Sequence, residues 1–295
     1  MLDQAYELRE VVRGTHQALE HEQVGNLPVA IAITSGKGGV GKTNVVVNLA
    51  VSLANLQKRV LILDADFGLA NIDVLLGMAP RYNLSDFVFG DKSLDDIVIE
   101  GPSGIKIIPA SSGIEQMTAL TTEQQTKLIR GISKLEAQSD YLLIDTAAGI
   151  SANVIHLLLA AGIVIVVTAP EPTAIVDAYL VVKILAHRES HKRIYLVVNS
   201  VSGPGEARNA HRQIDLVARR FLNKPVELLG YIEKDKNMVE SVRKQTPVVN
   251  LYPDSGASRC LKTLAKRIIR DLSPEQSDKR SSLSWQEFFG SGQVS

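Results

Sequence analysis

The sequence predicts an α/β fold: a single doubly wound, mostly parallel sheet with helices on both faces. Three observations predict it. Apolar segments of strand length alternate with helical stretches along most of the chain, the pattern that builds βαβ units. A glycine-rich loop at residues 36–43 lies between the first such strand and a helical stretch. Aspartates or an asparagine end three of the later strands, where open α/β sheets collect ligands.

From the amino terminus, residues 1–22 read as a helix that stops near Gly25 and Pro28, with Leu2, Ala5, Tyr6 and Arg9 on one side. Val29 to Thr34 is the first apolar, β-prone run. The loop that follows, Gly36-Lys37-Gly38-Gly39-Val40-Gly41-Lys42-Thr43, satisfies the phosphate-loop pattern G-x-x-x-x-G-K-[ST] and opens a helix over 44–56. Its glycines let backbone N–H groups turn inward around a polyphosphate, and a helix N-terminus favours negative charge. Lys42 can reach the β- and γ-phosphates, and the Thr43 hydroxyl can ligate Mg²⁺. A further lysine, Lys37, directly after the first glycine, is the unusual member of the run.

The strand at 60–63 leads into Asp64 and Asp66. After a strand at 105–108 and a helix at 122–137, the run at 141–144 ends in Asp145, able to hold a magnesium-bound water, with Gly149 beyond it. A helix at 151–160 and a strand at 163–168 lead to Pro170-Glu171-Pro172, a loop at the same sheet end as Asp145 and Asn199. A helix at 173–187 follows, then a strand at 194–198 ended by Asn199, a helix at 205–221, a strand at 226–231 and a helix at 257–270. Residues 273–282 read as a polar linker. In the tail beyond it Trp285, Phe288 and Phe289 fall on one narrow helical face, just downstream of Lys279 and Arg280.

The K-G-G-x-G-K-[ST] run, followed in order by Asp64-Ala65-Asp66 and Asp145, resembles the deviant Walker A loop and switches of the MinD/ParA family of dimeric ATPases. The resemblance covers roughly residues 28–272, and Gly68-Leu69-Ala70-Asn71-Ile72-Asp73 is close to MinD-type sequences. It implies binding of ATP or ADP with Mg²⁺ by Gly36, Lys37, Gly38, Gly39, Val40, Gly41, Lys42, Thr43 and Asn44. It implies that Lys37 reaches the partner subunit's nucleotide, that Asp66 orients the attacking water, and that Asp64 and Asp145 join Thr43 around the metal through water. Asn199 would read the adenine edge, because an amide donates and accepts at once. Two positions depart from the family's habit. Ala147 stands where proline or glycine is common, and Ser200 stands where arginine often follows the asparagine.

The run Asp3-Gln4-Ala5-Tyr6-Glu7-Leu8-Arg9 fits D-Q-A-x-x-L-R. It resembles the N-terminal motif of the flagellar-number regulators called FlhG or FleN. That resemblance implies contact of Asp3, Gln4, Ala5, Leu8 and Arg9 with an FlhF-type GTPase, a homodimer when ATP is bound, and further partners in a flagellar switch protein and a transcriptional activator. The expected organisation is a partner-binding segment over 1–27, an ATPase domain over 28–272 and a tail over 273–295. The aromatic tail resembles the C-terminal membrane helix of these proteins. It is short, and either a weak lipid contact or docking on its own domain suits it.

Bulk properties narrow the field. The chain has 295 residues, 45% hydrophobic, with formal net charge +0, so no global field draws it to nucleic acid and no specific nucleic-acid binding is expected. The single cysteine, Cys260, excludes a disulfide framework or a cysteine-built metal site within one chain. The expected location is the cytoplasm, peripheral at the inner membrane when ATP-bound. The rival readings are a MinD-like division regulator, a ParA-like DNA partition factor, for which Arg208, Arg212, Arg219 and Arg220 give one helix a basic cast, and a metabolic enzyme of the dethiobiotin synthetase kind.

Overall fold

Eight strands among the described residues form one sheet in the order β3-β4-β2-β5-β1-β6-β7-β8. They are β1 (Val29–Thr34), β2 (Val60–Ala65), β3 (Ile99–Glu100), β4 (Lys106–Ile108), β5 (Tyr141–Thr146), β6 (Ile163–Thr168), β7 (Arg193–Val201) and β8 (Glu227–Glu233). The structure, a computed structural model, describes residues 28–66, 71–109, 120–272 and 284. All neighbours run parallel except the short β3, which is antiparallel to β4.

Every residue of β1, β2, β5 and β6 is buried, which is why these strands read as continuous apolar runs rather than as alternations. The period-2 geometry still divides them between two cores. Ala30, Ala32, Leu142, Ile144, Val164 and Val166 face one layer, and Val29, Ile31, Ile33, Leu143, Ile163 and Ile165 face the other.

The helices are α1 (Lys42–Ala54), α2 (Ile72–Leu76), α3 (Leu84–Val88), α4 (Leu94–Ile97), α5 (Thr122–Glu136), α6 (Ala152–Ala160), α7 (Pro172–Arg188), α8 (Pro204–Leu222), α9 (Lys236–Arg243), α10 (Val248–Leu251) and α11 (Gly256–Asp271). Residues of α5, α6, α7 and α8 pack in the first core, and residues of α1 and α11 in the second. The doubly wound expectation holds.

Some details differ from the sequence reading. Helix α1 starts at Lys42, two residues early, because Gly41 in the left-handed region serves as its cap without any side chain. Strands β2 and β5 run past their apolar stretches and carry Asp64 and Asp145 into the sheet as a register pair. The short helices α2, α3, α4, α9 and α10 are additions; the capping boxes at Asn83/Asp86 and Ser93/Asp96 fix two of them. The expected N-terminal helix, Phe67 to Ala70, and the tail aromatics Trp285, Phe288 and Phe289 lie outside the described residues.

Candidate nucleotide site

The loop from Gly36 to Gly41 joins β1 to α1 at the C-terminal end of the sheet. Two of its glycines are sterically required. A Cβ on Gly36 would lie 2.2 Å from the backbone carbonyl of Asp177 in α7. At Gly41 φ is +86°, and a Cβ would meet the Asn199 side-chain nitrogen at 2.5 Å. With no side-chain cap at Gly41, the first-turn N–H groups of α1 stay open to an anion.

Lys42, only 6% exposed, lies between acidic groups. Its Nζ contacts the Asp145 carboxylate directly, donates to Thr43 Oγ1 at 3.3 Å and lies 3.9 Å from Asp66 Oδ2. Asp64 and Asp145 sit side by side on β2 and β5 and are both buried. Burial first, and then the charge of Asp145, push the Asp64 carboxyl up to about 7, while the Asp66 N–H donated to Asp64 Oδ1 at 3.1 Å pulls the other way. Burial likewise raises the Asp145 carboxyl, against the opposing pull of Lys42.

The oxygen chemistry suits a hard divalent cation. Asp145 Oδ2 is buried without a hydrogen-bond partner, and the nearby donors are a hydroxyl and carboxylates, the set Mg²⁺ prefers. Among the described residues no cluster of three or more His, Cys, Asp or Glu could enclose a metal alone. A cation here needs further oxygens, such as those of a polyphosphate and water.

Lys37 stands apart from this buried group. Its side chain is 42% exposed, and its Nζ donates to Thr173 Oγ1 at 3.1 Å and pairs with Glu171 Oε2 at 3.5 Å. Asn199 Nδ2 donates to Val40 O at 2.8 Å, so the amide braces the glycine loop. Gly149 N donates to Ser35 O at 2.8 Å, and Ser35 Oγ donates to Lys37 O at 2.9 Å. These bonds tie the loop after β5 to the glycine loop. Val249 N donates to Asn48 Oδ1 at 3.4 Å, joining α10 to α1.

The structure thus brings together Gly36 to Asn44, Asp64, Asp66, Asp145 and Asn199. Asp3, Gln4, Ala5, Leu8 and Arg9 lie outside the described residues. Sequence reasoning missed the contacts of Lys37 with Glu171 and Thr173; the one available signal was the Pro170-Glu171-Pro172 loop at the same sheet end. Two cavities, of about 260 and about 500 Å³, lie away from this site, beside Cys260 and beside Arg59. Among the described residues no helix is long and apolar enough to cross a membrane.

Comparison with known proteins agrees with this geometry. A family model described as an AAA domain matches residues 29–195. The chain is 41% identical over 270 residues to the antiactivator FleN of Pseudomonas aeruginosa, covering 91% of this chain and 95% of that protein. It is 33% identical over 243 residues to the flagellum site-determining protein YlxH of Helicobacter pylori, covering 82% of each. The solved structure of the septum site-determining protein MinD complexed with Mg-ADP, from Pyrococcus horikoshii, superposes with a TM-score of 0.68 at 26% identity, over 83% of this chain and 98% of that one.

Proposed function

Because the chain belongs to the MinD/ParA family of P-loop ATPases, in the group that includes FleN and YlxH, we propose that it is an ATP-driven dimerising switch that sets flagellar number and placement. The observation that supports this most is the contrast between two lysines of one loop. Lys42 is buried among the carboxylates of its own chain, whereas Lys37 stands at the surface. One suits the chain's own nucleotide and the other a nucleotide held by a second copy.

In this reading Lys42 changes partner from Asp145 to the β- and γ-phosphate oxygens of ATP, and the open N–H groups of the loop and α1 bind the same phosphates. Thr43 would hold Mg²⁺ directly, with Asp64 and Asp145 acting through water. Bound there, the metal supplies Lewis-acid stabilisation of phosphate charge. Asp66 orients the attacking water, and Lys37 of the second copy neutralises charge that develops during transfer. Asn199 turns from Val40 to the base edge. Hydrolysis is slow and returns the protein to monomer. The tail gives weak membrane contact, doubled in the dimer.

The partners in this reading are an FlhF-type GTPase, engaged through Asp3 to Arg9, a flagellar switch protein and a flagellar transcriptional activator. A division-site regulator of the MinD kind would use the same nucleotide site, and the D-Q-A-x-x-L-R run favours the flagellar role. The test compares the full chain with a deletion of residues 1–22 as stimulators of an FlhF-type GTPase. We expect the deletion to abolish stimulation and leave ATP hydrolysis nearly unchanged. Undiminished stimulation by the deleted protein would overturn the partner assignment.

A further inference from the structure

Strands β6, β7 and β8 begin at the pole of the molecule opposite the nucleotide site, and several chain ends converge there. Lys192 Nζ donates to Leu159 O at 2.6 Å and to Ala161 O at 2.8 Å, at the end of α6. Ser284 N, from the tail, donates to Ala160 O at 2.8 Å between them. Lys224 Nζ, just past α8, donates to Ser190 O at 2.6 Å. Arg193 Nη2 donates to Asp271 O, at the end of α11, at 3.5 Å. The ends of α6, α7, α8 and α11 and one residue of the tail therefore share one rim.

This rim is cationic although the whole chain has formal net charge +0. Arg188, Arg220 and Lys266, near the C-termini of α7, α8 and α11, are exposed, and none pairs with a carboxylate among the described residues. Three of the acids close by are already matched, while Glu227, which begins β8, is exposed and unpaired among the described residues. Glu189 pairs with Lys192 at 2.9 Å, Asp271 with Arg270 at 2.6 Å and Asp215 with Arg219 at 2.7 Å. Phe221, next to Arg220, is 67% exposed, the highest value for any large hydrophobic residue among the described ones. The Arg220 guanidinium lies 5.4 Å from its ring centre. An exposed phenyl ring beside one cation, with two more on the helix ends of the same pole, matches the layer between lipid headgroups and acyl chains, where the ring is buried and the cations meet phosphate. A nucleic acid would also attract the cations, but the exposed ring favours a bilayer.

We propose that this pole is a docking face for an anionic lipid bilayer: Phe221 enters the interfacial layer, and Arg188, Arg220 and Lys266 contact anionic headgroups. The proposal rests on the reading that the protein works at a membrane, and it places part of that contact on the folded domain.

The experiment is flotation of the full ATP-bound chain with phosphatidylcholine vesicles, with and without phosphatidylglycerol. Each cationic side chain at such a surface contributes roughly fivefold in affinity, so Arg188→Ala with Arg220→Ala should weaken binding to anionic vesicles by about 25-fold. Arg188→Lys with Arg220→Lys should retain binding, and Phe221→Ala should weaken it further in the alanine background. Unchanged thermal melting would show that the variants remain folded. Trp285→Ala with Phe288→Ala reports the tail separately. Loss in the arginine variant supports the face whatever the tail variant does. Unchanged flotation of both the arginine and Phe221 variants, with loss in the tail variant, overturns the face and leaves the tail reading standing. A wild-type chain that ignores anionic vesicles overturns both. Arginine variants that lose a DNA duplex but keep their vesicle binding overturn the lipid assignment.

Discussion

Replacing Asp64 by asparagine should stabilise the nucleotide-free protein at alkaline pH while weakening its hold on Mg-ATP. The Asp64 carboxyl is 2% exposed, and its pKa stands at about 7 against an ordinary 3.8. Below 3.8 both the folded and unfolded chains carry this proton, so the group imposes no penalty. As pH rises the unfolded chain ionises first and gains stability relative to the fold. Above 7 the folded carboxyl ionises too and the penalty levels off. At about 1.4 kcal/mol per pH unit, it reaches about 4 kcal/mol, of which about 2 kcal/mol accrues between pH ~5.5 and ~8. Asparagine cannot ionise and still offers an oxygen to the Asp66 N–H. Urea unfolding in chelator, without nucleotide, should show the variant's advantage over wild type widening by about 2 kcal/mol across that interval. Adding Mg-ATP should stabilise wild type more than the variant. An advantage that stays constant or shrinks as pH rises would refute the assignment of Asp64 as a strained buried acid.

Lys42→Ala should weaken nucleotide affinity more than tenfold, because a charged hydrogen-bonding partner of the phosphates is worth about 1.5–3 kcal/mol. Lys37→Ala should bind nucleotide nearly normally but fail to dimerise or hydrolyse, and equal affinity losses by calorimetry would remove the role across the dimer. Gly36→Ala forces the loop away from the Asp177 carbonyl, which a Cβ would approach to 2.2 Å. It should cost about 1–3 kcal/mol in stability and lower ATP affinity; melting and affinity equal to wild type would show that the close approach is not needed.

The parts of this protein legible in its sequence are those whose chemistry is local. The glycine loop is contiguous, and each strand that brings an aspartate to the site is built on a short apolar run. The winding of the sheet followed from alternation alone. The contacts that set the state of the site are not local. Lys42 meets Asp145 across 103 residues, Lys37 meets Thr173 across 136, and Asn199 meets Val40 across 159. Only the strand order, with β1 inserted between β5 and β6, makes those pairs neighbours. The Asn199 amide braces the glycine loop through such a distant contact. The short helices α2, α3, α4, α9 and α10 have at most eight residues each, too few for a clear period in the sequence.

Coupling of ATP binding to assembly is the property on which the proposed switch depends. Asp66→Ala keeps the glycine loop, Lys42 and the metal-binding oxygens, and removes the carboxylate assigned to orient water. Light scattering of this variant should give the monomer mass without nucleotide and twice that mass with Mg-ATP, persisting because hydrolysis is lost. A variant that binds Mg-ATP and remains monomeric would contradict the ATP-driven dimer.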